Sequence, residues 1–202
     1  MEMTFPQRER IIDSAIALFN EHSYHSIDEA RVAVAAGISV DDLAGAFPGG
    51  KESLVLAALD RRDEWARNYF CGEMDRRGGG DARRSLLSLF DVMGEWFAQG
   101  TFQGCMFINA TAEYGKRDNP IHKAAARHKR LFCAYLRNLA EQIGTSDPDG
   151  LTDELVFLME GAIVTAHIRG DASAAARAGR AAATLIDHAT NESASNAREI
   201  IS

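Results

Sequence analysis

The sequence has few of the features that mark several common classes of protein. Its 202 residues contain three cysteines, Cys71, Cys105 and Cys133, and no CxxC pair. This odd, dispersed set argues against a disulfide framework or a zinc site. No apolar run approaches the roughly 18 residues that cross a bilayer, and the N-terminus has no apolar signal core. We therefore expect a cytoplasmic protein with reduced thiols and no membrane association.

Basic charge is also scarce. The chain has 22 Lys and Arg residues against 29 Asp and Glu residues, a formal net charge of −7, and its isoelectric point is near 5.4. Such a chain has no general electrostatic attraction to nucleic acid.

Motifs for catalysis and for metal or phosphate binding are missing. The six histidines form no HExxH motif, and residues 49–52 do not belong to a GxxxxGK[ST] loop. No nucleophile stands beside a candidate base. The sequence therefore predicts neither an enzyme nor a metal or cofactor site.

What the sequence does contain is helical periodicity, and no segment alternates like a strand. Runs rich in turn-forming residues separate six later helices, predicted at residues 51–77, 81–99, 105–115, 120–143, 152–169 and 173–189. With the first sixty residues, this predicts an all-α fold of about nine helices. We place a first domain at residues 1–62, a second at 63–190, and a flexible polar tail at 191–202.

The first sixty residues predict three short helices with a tight turn before the third. Ser26 and Glu29 have capping-box spacing, which predicts a second helix from about Ile27 to Ala36. Gly37 supplies the left-handed backbone that ends it. Ser39 is the expected N-cap of the third helix, which is expected to end before residues 48–50. A helix-turn-helix of this kind places its last helix in the major groove of DNA.

This pattern resembles the tetracycline-repressor (TetR) family of bacterial transcriptional regulators. The residues that carry the resemblance occur in order between residues 8 and 60: Ile12, Ala15, Leu18, Phe19, Ala33, Ala36, Gly37, Ile38, Ser39, Leu43, Phe47, Pro48, Gly49, Gly50, Lys51, Glu52 and Leu54. The second half is a weaker match. The resemblance implies a dimeric repressor that binds operator DNA through its third helix and is released by a small effector. By position, the DNA-binding residues would be Ser39, Val40, Asp41, Asp42, Ala44, Ala46 and Lys51.

The third helix departs from the family pattern in ways that favour an alternative. Family members usually carry a tyrosine where Ala44 stands and a histidine or aromatic residue where Ala46 stands. Residues 1–62 also hold six basic and ten acidic residues, a poor supply of phosphate contacts. The alternative is a dimeric small-molecule-binding protein that keeps this fold and has lost operator binding.

The second half suggests an effector pocket. Pockets for small molecules are mostly apolar with a few polar groups, and here the expected effector is apolar or amphipathic. We predict that Trp96, Phe97, Met106, Asn109 and Tyr114 bind it, although such residues can equally fill a helical core. Cys105 opens a helix, where it is either a redox-sensitive thiol or a small buried packing residue.

The last two helices suggest a homodimer. An apolar stripe at helical spacing predicts a twofold contact of four helices between two copies of the chain. The alternative is an ordinary helical hairpin within one chain. The stripe consists of Leu151, Leu155, Leu158, Met159, Ala162, Ile163 and Ala166.

Overall fold

The computed structural model describes the backbone of residues 5–199 and the side chains of residues 7–191. All regular structure in this range is helical, which confirms the predicted all-α fold with nine α-helices. Their bounds are α1 Phe5–Glu21, α2 Glu29–Ala36, α3 Val40–Ala46, α4 Gly50–Gly78, α5 Ala82–Phe97, α6 Met106–Glu113, α7 Pro120–Gln142, α8 Pro148–Arg169 and α9 Ala174–Glu199. A short 3-10 turn at Tyr24–Ser26 lies between α1 and α2.

Two predicted ends of the late helices are wrong. Helix α8 begins at Pro148 rather than near residue 152, because the Asp147 carboxylate caps it by accepting the Gly150 N–H at 2.9 Å. Proline suits the first helical position because its missing N–H would have no partner there. Helix α9 continues to Glu199 rather than ending near residue 189, since no glycine or proline follows Gly179. The flexibility of the tail at 191–202 stays a prediction.

The described residues cluster into two units. The first comprises the residues up to Trp65 together with Cys105–His128, and the second comprises Ala66–Gly104 together with the residues from Lys129 onward. Helices α4 and α7 each contribute residues to both units. The first unit thus contains the helix-turn-helix and also the whole of α6, which our sequence-based limits assign to the second domain. Those limits stay a prediction.

The core of the first unit is centred on Tyr24, which is fully buried. Its ring stacks on Phe19 of α1 with centroids 5.0 Å apart. Its hydroxyl donates a hydrogen bond of 3.1 Å to the Met106 carbonyl at the start of α6. Burial raises the pKa of Tyr24, with smaller contributions from Cys105 and Glu113, so the phenol stays neutral. The 3-10 turn is therefore held between α1 and α6.

The far end of α6 is attached to the same turn by Glu113. Its carboxylate accepts the backbone N–H groups of Tyr24 and His25 at 2.8 and 2.9 Å. It also accepts the Ser23 hydroxyl at 2.7 Å. Burial alone would raise the pKa of Glu113, but these hydrogen bonds outweigh it and hold the pKa below its ordinary value of 4.5. One carboxylate thus satisfies three donors in the α1–α2 connection.

A buried polar pair also lies in the first unit, beneath α6. Nδ1 of His128 on α7 lies 2.6 Å from a carboxylate oxygen of Asp63 on α4, and both side chains are buried. Phe107 of α6 stacks on the histidine ring with centroids 3.6 Å apart. Helices α4, α6 and α7 therefore meet at one hydrogen-bonded pair that the Phe107 ring covers.

The second unit is built around α9, which packs along both α5 and α8. At the closest approach, a Cβ added to Gly179 would lie 3.0 Å from the Cβ of Phe90, so the small residue is what lets α9 approach α5. Arg83 and Asp187 form an ion pair between the same two helices.

The stripe predicted to form the dimer interface is mostly buried inside this unit, so that assignment is wrong for six of its seven residues. They are Leu151, Leu155, Met159, Ala162, Ile163 and Ala166. The reason is that α8 directs this face toward its own neighbours in the same chain. A different face of α8 is left exposed, with Phe157 71% and Ile168 75% exposed and Val164 also accessible.

The Glu113 contacts lead to a prediction about stability and pH. Glu113→Gln keeps an acceptor but removes the charge, and should lower the free energy of unfolding at pH 7 by about 1–3 kcal/mol. Because the folded-state pKa is lowered, the stabilisation is complete above about pH 4.5 and is lost as the pH falls through the folded-state value. Urea unfolding at pH 7 and in steps below pH 5 should therefore show the difference between wild type and variant shrinking in acid.

Glu64→Gln is the matched control, since Glu64 is an exposed glutamate in the same unit. It should unfold like the wild type throughout. A Glu113→Gln protein as stable as the wild type at pH 7 would contradict the role assigned to these hydrogen bonds.

Candidate nucleic-acid interface

The turn between α2 and α3 follows from local sequence. Gly37 adopts the left-handed conformation with φ of 66°, which L-residues with a side chain rarely adopt. The N–H of Ile38 then reaches the Ala33 carbonyl at 3.0 Å, closing the end of α2. Ser39 caps α3 by accepting the Asp42 N–H at 3.1 Å. These observations confirm the predicted glycine turn and serine cap.

The predicted start of α2 is wrong. Helix α2 begins at Glu29, and its N-cap is Asp28, whose carboxylate accepts the Arg31 N–H at 2.9 Å. Ser26 instead donates its hydroxyl to the Ser23 carbonyl within the 3-10 turn. Both residues are good N-caps in isolation, but burial of Ile27 in an extended conformation prevents the helix from starting two residues earlier.

Helix α3 has one buried side and one open side. Leu43 and the following Phe47 are buried, and Arg8 lies over the Phe47 ring at 5.0 Å. Val40 is 49% exposed, and Asp41 and Ala44 are also exposed, whereas Ala46 is half-buried. The open surface therefore consists of short apolar side chains beside the Asp41 and Asp42 carboxylates.

The two aspartates of α3 differ in their partners. The Ser39 hydroxyl donates to the Asp42 carboxylate at 2.7 Å while accepting the Asp42 N–H, which is a reciprocal cap. Among the described side chains, none forms a hydrogen bond or ion pair with Asp41. The Asp42 side chain therefore stabilises the start of α3, and the Asp41 side chain is available to bind a ligand.

The first turn of α4 is closed by an acidic side chain. The Glu29 carboxylate accepts the Lys51 N–H at 2.9 Å. The Lys51 ammonium donates to the His25 carbonyl at 3.4 Å. A helix N-terminus attracts anions because its free N–H groups point outward. Here a carboxylate of the same chain already occupies one of those groups.

An open groove of about 410 Å³ runs between the starts of α2 and α4 and the side of α3. Its wall on α3 is formed by Val40, Leu43 and Ala44, and Glu29 lies at its rim. The groove adjoins the position where the resembled family usually carries a tyrosine. With alanine there, the space beside α3 stays open.

Several basic side chains of the first unit have partners within the chain. Arg10 donates to the Ala36 carbonyl at 3.0 Å, and Arg61 pairs with Glu9 and Asp13. The Arg62 guanidinium stacks over Trp65 at 3.7 Å, and its pKa is lowered chiefly by burial. Each of these three guanidinium groups is therefore held by contacts within the first unit.

The predicted effector-binding residues fall into the two units. In the second unit, Trp96 and Phe97 are buried and both contact Phe102, with ring centroids 4.9 and 4.8 Å away. In the first unit, Met106 is buried, Asn109 is half-buried on α6 and Tyr114 follows it.

Tyr114 packs edge-on against Tyr24 at 6.0 Å and lies 5.0 Å from the His25 ring. It therefore packs against the α1–α2 turn, whatever else it binds. Cys105 is buried at the N-cap of α6, as the packing interpretation expects. The roles of all these residues in binding an effector stay predictions.

Sequence reasoning missed the contacts that Glu29 and Glu113 make, although it considers Glu29 for a capping box and Glu113 for the effector pocket. The capping-box spacing pairs Glu29 with Ser26. No local pattern in the sequence indicates that Glu29 contacts Lys51 or that Glu113 contacts residues 23–25. In the part of the chain that the structure describes, no three His, Cys, Asp or Glu side chains converge to hold a metal ion. No described helix combines the length and apolarity needed to cross a membrane.

Comparison with known proteins agrees with this geometry. The family described as "Tetracyclin repressor-like, C-terminal domain" matches residues 82–182. The chain is 24% identical over 161 residues to the HTH-type transcriptional regulator YjdC of Escherichia coli, covering 78% of this chain and 81% of the relative.

Solved structures are similar over nearly the whole chain. A TetR transcriptional regulator from Chloroflexus aurantiacus is 25% identical with a TM-score of 0.79, covering 90% of this chain and 94% of that one. A TetR-family regulator from Streptomyces coelicolor is 23% identical with a TM-score of 0.77, covering 93% and 95%. With its helix-turn-helix and a family match across half of its length, the chain belongs to the tetracycline-repressor family of transcriptional regulators.

Proposed function

We propose that this protein is a homodimeric, cytoplasmic repressor that binds operator DNA through α3 and is released by a small apolar or amphipathic effector, without enzymatic activity. The observation that carries the proposal is the open side of α3. The helix is fixed by a glycine turn, a serine cap and two buried anchors, while Val40, Asp41 and Ala44 stay exposed. A short helix held this rigidly and exposed on one side suits insertion into a major groove.

Dimerisation is supported by the exposed apolar face of α8. Phe157, Val164 and Ile168 are large exposed apolar residues spaced at helical intervals, and Gly161 leaves room between them. A groove of about 310 Å³ between this face and α9 could receive side chains of a second copy. Contiguous apolar patches of this kind usually mark an interface.

Effector binding is supported by the aromatic cluster of the second unit. Trp96 contacts Phe70 and Phe102 edge-on, at 5.5 and 4.9 Å, and Phe102 lies 6.3 Å from the His167 ring. Contact with an aromatic cluster and a single imidazole suits an apolar or amphipathic molecule. We retain Trp96, Phe97, Met106, Asn109 and Tyr114 as the proposed effector-binding residues.

A second candidate function is favoured by the acidic surface. Residues 1–62 carry ten acidic and six basic side chains, and a carboxylate closes the first turn of α4. In this alternative, the protein is a dimeric small-molecule binder on the same fold that no longer binds an operator.

A salt series separates the two candidates. Binding of the dimer to DNA from around its own gene should be detectable at low salt by fluorescence anisotropy, and should weaken as salt rises. Because few basic side chains are available, the salt dependence should be shallower than for proteins that make about 6–10 phosphate contacts. Absence of binding even at the lowest salt would favour the second candidate.

The hydrogen bond between the Glu29 carboxylate and the Lys51 N–H gives a more specific prediction about DNA binding. Glu29→Gln keeps an acceptor for the Lys51 N–H and removes a negative charge beside Lys51, one of the proposed DNA-binding residues. DNA affinity at low salt should rise by about threefold, and the gain should fade as salt screens the charge.

Glu64→Gln is the matched control, because it removes the same charge from an exposed site more than three turns along α4 from Lys51. It should leave DNA affinity almost unchanged. If both variants tighten binding equally, the effect is one of net charge and the local role of Glu29 is wrong.

The α8 face predicts the oligomeric state. The wild type should scatter light as a particle of about twice the 22.0 kDa chain mass, and Phe157→Asp should reduce this to one chain mass at micromolar concentration, because it buries an unpaired charge in the contact. Val34→Asp, which changes an exposed apolar residue on α2, should remain dimeric. A Phe157→Asp dimer would place the interface elsewhere.

A further inference from the structure

The open side of α3 presents few kinds of chemical group, and this limits the bases that it can recognise. Its N-terminal exposed residues are Val40 and Asp41, with Ala44 one turn later beside Val40. None of these three side chains can donate a hydrogen bond. Guanine presents only acceptors in the major groove, so these three side chains offer it nothing to bind.

Asp41 is the one hydrogen-bonding side chain on this surface that has no role in holding the helix. Asp42, its neighbour, is engaged by the Ser39 hydroxyl at 2.7 Å and by the serine cap at its own N–H. Asp41 is exposed, and no described side chain bonds to it. Its carboxylate can therefore turn toward a base without loss of a contact within the chain.

A carboxylate only accepts hydrogen bonds, and two bases offer it a donor in the major groove. Cytosine presents its N4 amino group with no acceptor beside it on the same base. Adenine presents its N6 amino group next to the N7 acceptor, which repels a carboxylate. Asp41 therefore favours cytosine over adenine, guanine and thymine.

Val40 and Ala44 supply the complementary apolar contact. They are four residues apart and lie on the same side of the helix, where they line the groove beside α3. The thymine methyl is the apolar group that the major groove displays, and small aliphatic side chains contact it well. Asp41 lies next to Val40 along the chain, so the cytosine and the thymines belong to one short run of base pairs.

We infer that α3 reads cytosine through Asp41 and neighbouring thymine methyl groups through Val40 and Ala44, so that each half-site contains a C adjacent to T. This inference rests on the proposed DNA binding and adds the bases that determine its specificity. The inference depends on one arrangement, in which the exposed Asp41 carboxylate, bonded to no described side chain, lies on the same helix as the exposed apolar Val40 and Ala44.

The test is selection of bound duplexes from a randomised DNA library by the full-length chain at low salt, followed by affinity measurements on the selected sequence. The wild type should enrich a C next to T in each half-site. Replacing the selected thymines by deoxyuridine, which lacks only the methyl group, should weaken binding by about threefold to fourfold per contacted methyl. Changing the C should weaken it by about tenfold.

Asp41→Asn gives the most specific outcome. An asparagine amide pairs with adenine through N6 and N7, so the variant should exchange the preference for C for a preference for A at that position. Because removing a charge also raises affinity for all DNA, the quantity to measure is the ratio of affinities for the two sequences. Asp42→Asn removes the same charge and should keep the preference for C. Circular dichroism checks that both variants remain helical.

The outcomes separate this inference from the proposed function. Enrichment of C beside T, lost in Asp41→Asn and kept in Asp42→Asn, supports it. A selected sequence that is insensitive both to deoxyuridine and to Asp41→Asn overturns the base assignment while leaving DNA binding intact. Failure to enrich any sequence at the lowest salt overturns the proposed function, and the base assignment with it.

Discussion

The carboxylate of Glu113 is the interaction on which the helix-turn-helix unit depends. Three donors in the α1–α2 connection converge on it, and each of those groups would otherwise need water or another partner. The same turn places Tyr24 in the core, and α2 and α3 follow from it along the chain. Because Glu113 ends α6, a displacement of α6 would reach the start of α2 through hydrogen bonds rather than through loose packing. In the proposed function, these hydrogen bonds give the effector signal a physical route within the first unit.

The parts of the fold that were predictable from sequence are those with local causes. Gly37 ends α2 because the turn needs a left-handed residue, and Ser39 starts α3 because its side chain reaches an amide three residues away. The start of α2 was mispredicted because Ser26 and Asp28 are both competent caps. Only the burial of Ile27 decides between them, and burial depends on distant residues.

The candidate site was predictable in position but not in its electrostatics. The resemblance located α3 and its exposed residues, yet the contacts of Glu29 and Glu113 join residues 22 and about 90 positions apart. The apolar stripe of α8 shows the same limit. Periodicity identified an apolar face correctly, but could not say that it packs within the chain while Phe157 and Ile168 form a second, exposed face. When a helix carries apolar residues on two sides, its sequence does not show which side packs within the chain.

Under the proposed base assignment, the two adjacent aspartates of α3 have separate roles, one in folding and one in recognition. Asp42 holds the helix start through Ser39, whereas Asp41 forms no hydrogen bond or ion pair with any side chain that the structure describes. Substitutions at position 41 cost at most the favourable interaction of its charge with the N-terminus of α3, while position 42 is constrained by the cap. A regulator built this way can change its operator sequence by substitution of a single exposed residue. Its descendants can then bind different operators while they keep the same fold.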